Sequence, residues 1–313
     1  MIQSEQHSTA TPLFSVVVPV FNDWLPLREC LQSLARQNNA PTFEVIVVDD
    51  GSSEVAPEWI QSEHTSYPLA VIRQLHAGIP SARNRGVRIS KGTVLLFVDA
   101  DCRLETDCLA ALDRAIGQAP QHDCFQLRLV GNPSSLVGRA EELRLKSFQK
   151  MMLQPDGRIR YLNTAGFAIR RSRLGIQTEV FDPEALRAED TLLLANLMQA
   201  GELPLFIADA VVEHEIPLSL LGCLRKDARS VYLERRAYDI IASKGVIVRL
   251  THRERMQLLW SMWRAARHDS IGRSAWFVLV IRQAFQRMIS MGFQCLRSPA
   301  TGTVRAGHQG SSV

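Results

Sequence analysis

Four short apolar runs crowd into the first hundred residues, each followed by small, acidic or turn-forming residues. They are Ser15–Val20, Phe43–Val48, Leu69–Leu75 and Thr93–Val98. Each is too short for a buried helix and reads as a strand covered on both faces. Helical patterns separate them. Leu27, Leu31 and Leu34 share one helix face, and Pro80 opens a segment carrying Arg83, Asn84 and Val87. Strands alternating with helices predict an α/β fold with a mostly parallel sheet and helices on both faces. Such sheets bind ligands outside the carboxyl ends of their strands. Two acidic clusters, Asp49-Asp50 and Asp99-Ala100-Asp101, stand at such ends.

Asp99 and Asp101 are two residues apart at the mouth of an apolar strand. Each raises the other's pKa unless a cation or a strong donor compensates. A hard divalent ion, held by oxygen ligands and completed by substrate phosphates, meets that need. A solvated acidic turn is the alternative for an isolated Asp-x-Asp.

Beyond residue 104 the pattern predicts helices near 105–117 and 138–151, and strands near 123–130 and 163–169. A helix over Glu189–Gln199 and short strands at 204–208 and 210–212 lead to His214. From Pro217 the texture changes to Arg-rich helical segments at about 219–243, 251–268 and 273–296. Residues 1–12 and 298–313 are rich in Ser, Thr, Gly and Gln and read as disordered tails. The expected division is therefore a catalytic domain over 13–216 and a basic helical extension over 217–297.

Charge follows the same division. Residues 1–216 carry 20 Lys/Arg against 27 Asp/Glu, whereas 217–313 carry 16 against 5. A basic extension on an acidic body points to an anionic partner or to a solvated basic surface. In 274–296, Arg282, Gln283, Gln286, Arg287, Ser290 and Gln294 share one helical face. Trp276, Phe277, Ile281, Phe285 and Met288 are among the apolar residues covering the rest. That pattern suits a helix in a membrane interface or one packed in a bundle. Six cysteines without a CxxC pair suit free thiols in a reducing compartment. The first residues lack the apolar core of a signal peptide, and no run of eighteen apolar residues marks a membrane span.

Seven pieces occur in a fixed order: Val17-Val18-Pro19-Val20-Phe21-Asn22, Val47-Val48-Asp49-Asp50-Gly51-Ser52, and Gly78 with Ala82-Arg83-Asn84 and Gly86. Then come Leu96-Phe97-Val98-Asp99-Ala100-Asp101, Asn163-Thr164-Ala165-Gly166-Phe167, Ala188-Glu189-Asp190 and Val211-Val212-Glu213-His214. This set, over residues 14–215, resembles the family-2 inverting glycosyltransferases. The resemblance implies the type-A nucleotide-sugar-binding fold, Rossmann-like, here with a C-terminal helical extension.

It also implies roles. Pro19, Phe21 and Asp50 would line the nucleoside pocket, and Asp50 at a strand end can accept from a base N–H. Arg83 would approach the donor diphosphate or a neighbouring carboxylate such as Asp99. Asp99 would face the ribose and, directly or through water, the metal. Asp101 and His214 would ligate that metal, Mn²⁺ or Mg²⁺, which acts as a Lewis acid on the leaving diphosphate. An imidazole ligand favours Mn²⁺. Asp190, at a helix start, would be the base that takes the acceptor hydroxyl's proton. Glu189 would shape the acceptor pocket. Gly166 would let an acceptor sugar approach the backbone closely.

The expected activity is metal-dependent transfer of one sugar from a nucleotide-diphosphate sugar to a glycan, lipid-linked or other acceptor hydroxyl, in cell-envelope polysaccharide or glycoconjugate synthesis. No Gln-x-x-Arg-Trp motif follows Asp190, which argues against a processive polymerase. The expected setting is cytoplasmic, with the extension on the inner face of an anionic membrane; no nucleic-acid partner is expected. Two alternatives are a non-catalytic binding module of this fold, which the presence of Asp190 disfavours, and a haloacid-dehalogenase-type phosphatase. The latter would carry its Asp-x-Asp on the first strand, whereas here it follows three others.

Overall fold

The computed structural model describes residues 11–62, 66–175, 179–215, 219–245, 250–268 and 270–297. The expected tails lie almost wholly outside these residues. The chain begins with β1 (Phe14–Val20), α1 (Trp24–Ala35), β2 (Phe43–Asp49), the one-turn α2 (Trp59–Ser62), β3 (Leu69–Arg73), α3 (Ile79–Ile89) and β4 (Val94–Phe97). It continues through β5 (Cys102–Leu104), α4 (Cys108–Gln118), β6 (Cys124–Gly131), α5 (Leu136–Met152), β7 (Phe167–Arg170), the short α6 (Arg171–Leu174), α7 (Glu189–Gln199) and β8 (Leu205–His214). Three long helices follow: α8 (Leu220–Ser243), α9 (His252–Ala266) and α10 (Ser270–Arg297).

The strands form one sheet in the order β3-β2-β1-β4-β7-β6-β8-β5. Its first half is parallel, as the alternating pattern predicts. Its second half is mixed: β7 runs antiparallel to both β4 and β6, β6 and β8 are parallel, and β5 is antiparallel to β8. The expected strand at 163–169 is shorter than the apolar pattern suggests. Asn163 caps a 3-10 turn over Thr164–Gly166 through its side chain, so the strand starts only at Phe167.

Both sheet faces are covered, and strand alternation divides the core between them. Val16, Val18 and Val20 of β1 pack with α1 and α4, beside Leu27, Leu31, Leu109 and Leu112. Val17 points the other way, joining Leu95, Phe97 and Phe167 under α3 and α7 with Phe181, Leu193 and Leu197. Gly86 lets α3 lie close on β1: a Cβ there would come within 2.4 Å of Val17.

Of the basic C-terminal helices, α9 and α10 pack on α5, and α8 packs on α10 and α7. Ala140 of α5 joins Leu258 and Met262 of α9 and Ala275, Val278 and Leu279 of α10 in one apolar cluster. Of the two readings that the helical pattern left open, Arg282 of α10 follows the bundle one and does not border a lipid-facing surface. It forms a bidentate pair with buried Asp227 of α8, at 2.8 and 2.9 Å. No described helix is long and apolar enough to cross a membrane.

Candidate active site

The candidate residues gather along the carboxyl ends of β1, β2 and β4 and at the start of α7. At the β2 end, Asp50 is buried, and its carboxylate organises the following loop. Its Oδ1 accepts from the Gln74 side chain and the Ala77 N–H; its Oδ2 accepts from the Gly78 N–H and lies 2.9 Å from His76 Nδ1. Direct contact with a nucleobase would therefore displace one of those side-chain partners. Asp49 accepts from the Ser52 N–H, fixing the turn. Pro19 is buried inside β1. Phe21 is 41% exposed, which removes it from the core, and its ring lies 4.4 Å from the His76 ring. Together they offer an exposed aromatic surface beside the carboxyl ends of β1 and β2. His76 has no sequence signal beyond its place after a strand.

Arg83 is fully buried on α3. One arm donates to Asp99 Oδ1 and the other to Glu189 Oε1, both at 2.6 Å. Of the two contacts expected for Arg83, the structure has the carboxylate one. Burial alone would lower its pKa, but the two carboxylates outweigh that and raise it. Next to it, Asn84 ties down the loop before α7: its amide donates to Phe181 O and accepts from the Val180 and Phe181 N–H groups. Ala188, at the N-cap of α7, adopts a left-handed conformation with φ of 61°. A non-glycine residue in that region is strained and is held there by its surroundings.

The end of β4 carries Asp99 and Asp101, and β5 starts immediately afterwards. Antiparallel pairing sets Cys102 opposite His214, and the Glu215 N–H donates to Asp101 O. This short strand brings Asp101 Oδ2 to 3.3 Å from His214 Nε2. Asp101, Cys102 and His214 offer ligand atoms within 4.8 Å of one another. Burial forces the Cys102 thiol well above its usual pKa, so it stays protonated and is a poor partner for a hard ion. A carboxylate and an imidazole that leave positions open for phosphate oxygens fit Mn²⁺ or Mg²⁺. Asp99 stands outside this group with Oδ1 engaged by Arg83, which suits a ribose or water-mediated contact better than direct ligation. Burial pushes Asp101 towards a higher pKa, yet hydrogen bonding and charge from His214 carry it below the usual carboxylate range.

Asp190 lies in the first turn of α7. Its Oδ1 accepts from the Thr191 N–H at 2.6 Å and from the Thr191 hydroxyl at 3.1 Å. Burial, then the neighbouring Glu189 charge, pushes its pKa up to about 7. A carboxylate titrating there is matched to general-base work near neutrality. Asp190 faces a cleft of about 780 Å³ walled by Tyr161 and Asn163 on one side and by α8, α9 and α10 on the other. Gly166 does not reach this cleft surface as expected. It is buried, and a Cβ there would come within 2.9 Å of Leu129, so the missing side chain serves packing.

Fold and site define a type-A glycosyltransferase. The glycosyl transferase family 2 pattern matches residues 15–175, and the chain belongs to that family. A PGL/p-HBAD biosynthesis glycosyltransferase of Mycobacterium tuberculosis is 37% identical over 117 residues, covering 36% of this chain and 45% of that protein. The putative glycosyltransferase EpsH of Bacillus subtilis is 33% identical over 109 residues, covering 34% and 31%. These matches span less than half of each relative's length. Among solved structures, the mannosyltransferase PcManGT of Pyrobaculum calidifontis, in complex with GDP-Man and Mn²⁺, superposes with a TM-score of 0.58 at 16% identity, over 92% of this chain and 89% of that one. TarS of S. aureus in complex with UDP gives 0.54 at 18% identity, over 91% and 92%. At such identities the likeness is one of fold.

Proposed function

We propose that this glycosyltransferase moves a single sugar from a nucleotide-diphosphate sugar to an acceptor hydroxyl with inversion. The observation carrying this reading is the place of Asp190. It titrates near 7, faces the cleft, and follows Glu189, which Arg83 links to Asp99 on the donor side. Asp190 would take the acceptor proton as the hydroxyl attacks the anomeric carbon from the face opposite the leaving group. Phe21 and His76 would pack against the nucleoside, and Asp50 would hold the wall beneath them. Asp101 and His214 would hold Mn²⁺ or Mg²⁺. A bound divalent ion supplies Lewis-acid neutralisation of charge on the departing nucleoside diphosphate. The ligands of PcManGT and TarS support a nucleotide-sugar donor, and the PGL/p-HBAD relative supports a role in glycoconjugate synthesis.

The reading includes a cytoplasmic setting at a membrane surface. Five described cysteines are free and buried, which suits a reducing compartment. Along α10, Phe277, Ile281 and Met288 are exposed at spacings that keep them on one side. An apolar stripe turned to solvent suits shallow insertion into a lipid interface.

A thermal-shift panel of sugar nucleotides, with Mn²⁺ and with chelator, tests the donor claim. The true donor stabilises the protein by mass action, and only with the metal. No stabilisation by any sugar nucleotide would overturn it.

A further inference from the structure

The C-terminal helices complete the cleft that Asp190 faces, and they line it with positive charge. Arg144 and Arg160 of the body already pair with Glu141 and Glu254. Arg255 of α9 and Arg287 of α10 also line the cleft, and neither has a carboxylate partner among the described residues. Arg255 spends only its Nε, on Leu250 O. The acids of the lining are Asp190 and Glu234, and Glu234 is engaged within the protein. Tyr161 and Asn163 wall the same cleft beside Asp190 and add no acidic group to it.

We infer that this cleft is the acceptor site and that its acceptor is anionic, carrying a phosphate or carboxylate that Arg255 and Arg287 bind while its hydroxyl reaches Asp190. The inference rests on the transferase reading above. Guanidinium groups from two separate helices suit an oxyanion, because each presents several donors in a rigid fork. The basic extension then serves recognition: α10 turns Gln283, Gln286, Arg287 and Ser290 to the substrate.

The test is calorimetric titration of the full chain in chelator with glucose, glucuronate and glucose 6-phosphate. Chelation removes metal-assisted phosphate binding at Asp101 and His214. At least one anionic probe should bind, more weakly as salt rises, while glucose does not; the two anions separate carboxylate from phosphate recognition. Arg255→Gln with Arg287→Gln should weaken binding about tenfold or more, and the Lys double variant should recover part of it. Unchanged melting temperature excludes misfolding as the cause. Equal binding of glucose, no binding of any probe, or unchanged affinity in the Gln variant overturns the inference. Sugar-nucleotide binding with Mn²⁺ is measured on the same samples. If wild type binds the donor but no anionic probe, the acceptor claim alone fails. If it binds no donor, the transferase reading fails, whatever the probes do.

Discussion

Arg83 and Glu189 lie 106 positions apart in the chain, yet Arg83 Nη1 donates to Glu189 Oε1 at 2.6 Å inside the protein. The same guanidinium holds Asp99, so one buried cation joins the Asp99 loop after β4 to the residue beside the candidate base. Removing one member of a buried ion cluster leaves charge uncompensated. Arg83→Gln should lower stability by about 3–5 kcal/mol, read as a lower urea midpoint at constant slope. Because the Arg83 charge also holds down the Asp190 pKa, any surviving activity should show its pH limb displaced upward.

The metal claim predicts that Asp101→Asn and His214→Ala each weaken Mn²⁺ binding and abolish transfer, with activity of the wild type lost in chelator and restored by Mn²⁺. Isothermal titration with Mn²⁺ measures the first effect directly. Cys102→Ser, at the third position of the same cluster, should leave Mn²⁺ affinity nearly unchanged, because its thiol stays protonated.

On the extension, Arg282 and Phe277 predict opposite outcomes. Arg282→Glu breaks the buried pair with Asp227 and should destabilise by about 3–5 kcal/mol, whether or not lipid is present. Phe277→Ser with Ile281→Ser alters two half-exposed side chains and should cost much less stability than breaking that pair, while abolishing flotation with anionic vesicles. Equal flotation of wild type and this double variant, or none by wild type, would remove the membrane from the account.

Asp190 also makes a prediction for stability. Its pKa is raised in the folded state, so between about pH 4 and 7 the native protein holds a proton that the unfolded chain releases. Stability from this group falls as pH rises through that window. Asp190→Asn should therefore be more stable than wild type at pH 8, by about 1–3 kcal/mol in denaturant unfolding.

The parallel half of the sheet was legible because β1, β2 and β4 are buried along most of their length and announce themselves as mainly apolar runs. The three-residue β5 was not, since Cys102–Leu104 has no period to read, and its pairing with β8 is what sets Asp101 beside His214. The Glu189-Asp190 motif made Asp190 a candidate, but its raised pKa comes from packing that no local pattern encodes. The partner of Arg282 was hidden for a related reason. Helical periodicity assigns a residue to a face without saying what covers that face, and Asp227 lies 55 residues away. Of the two partners that the sequence offered Arg83, Asp99 is the one that the fold sets beside it.

The pH dependence of transfer by wild type and Asp190→Asn, with the selected donor and Mn²⁺, tests the central claim most directly. Wild-type turnover should rise with pH through about 7 as Asp190 loses its proton. Asp190→Asn should bind the donor as wild type does, lose about a hundredfold or more of turnover, and lack that pH limb. An Asp190→Asn enzyme that turns over at the wild-type rate with the same pH limb would contradict the account, as would one that folds normally but no longer binds the donor.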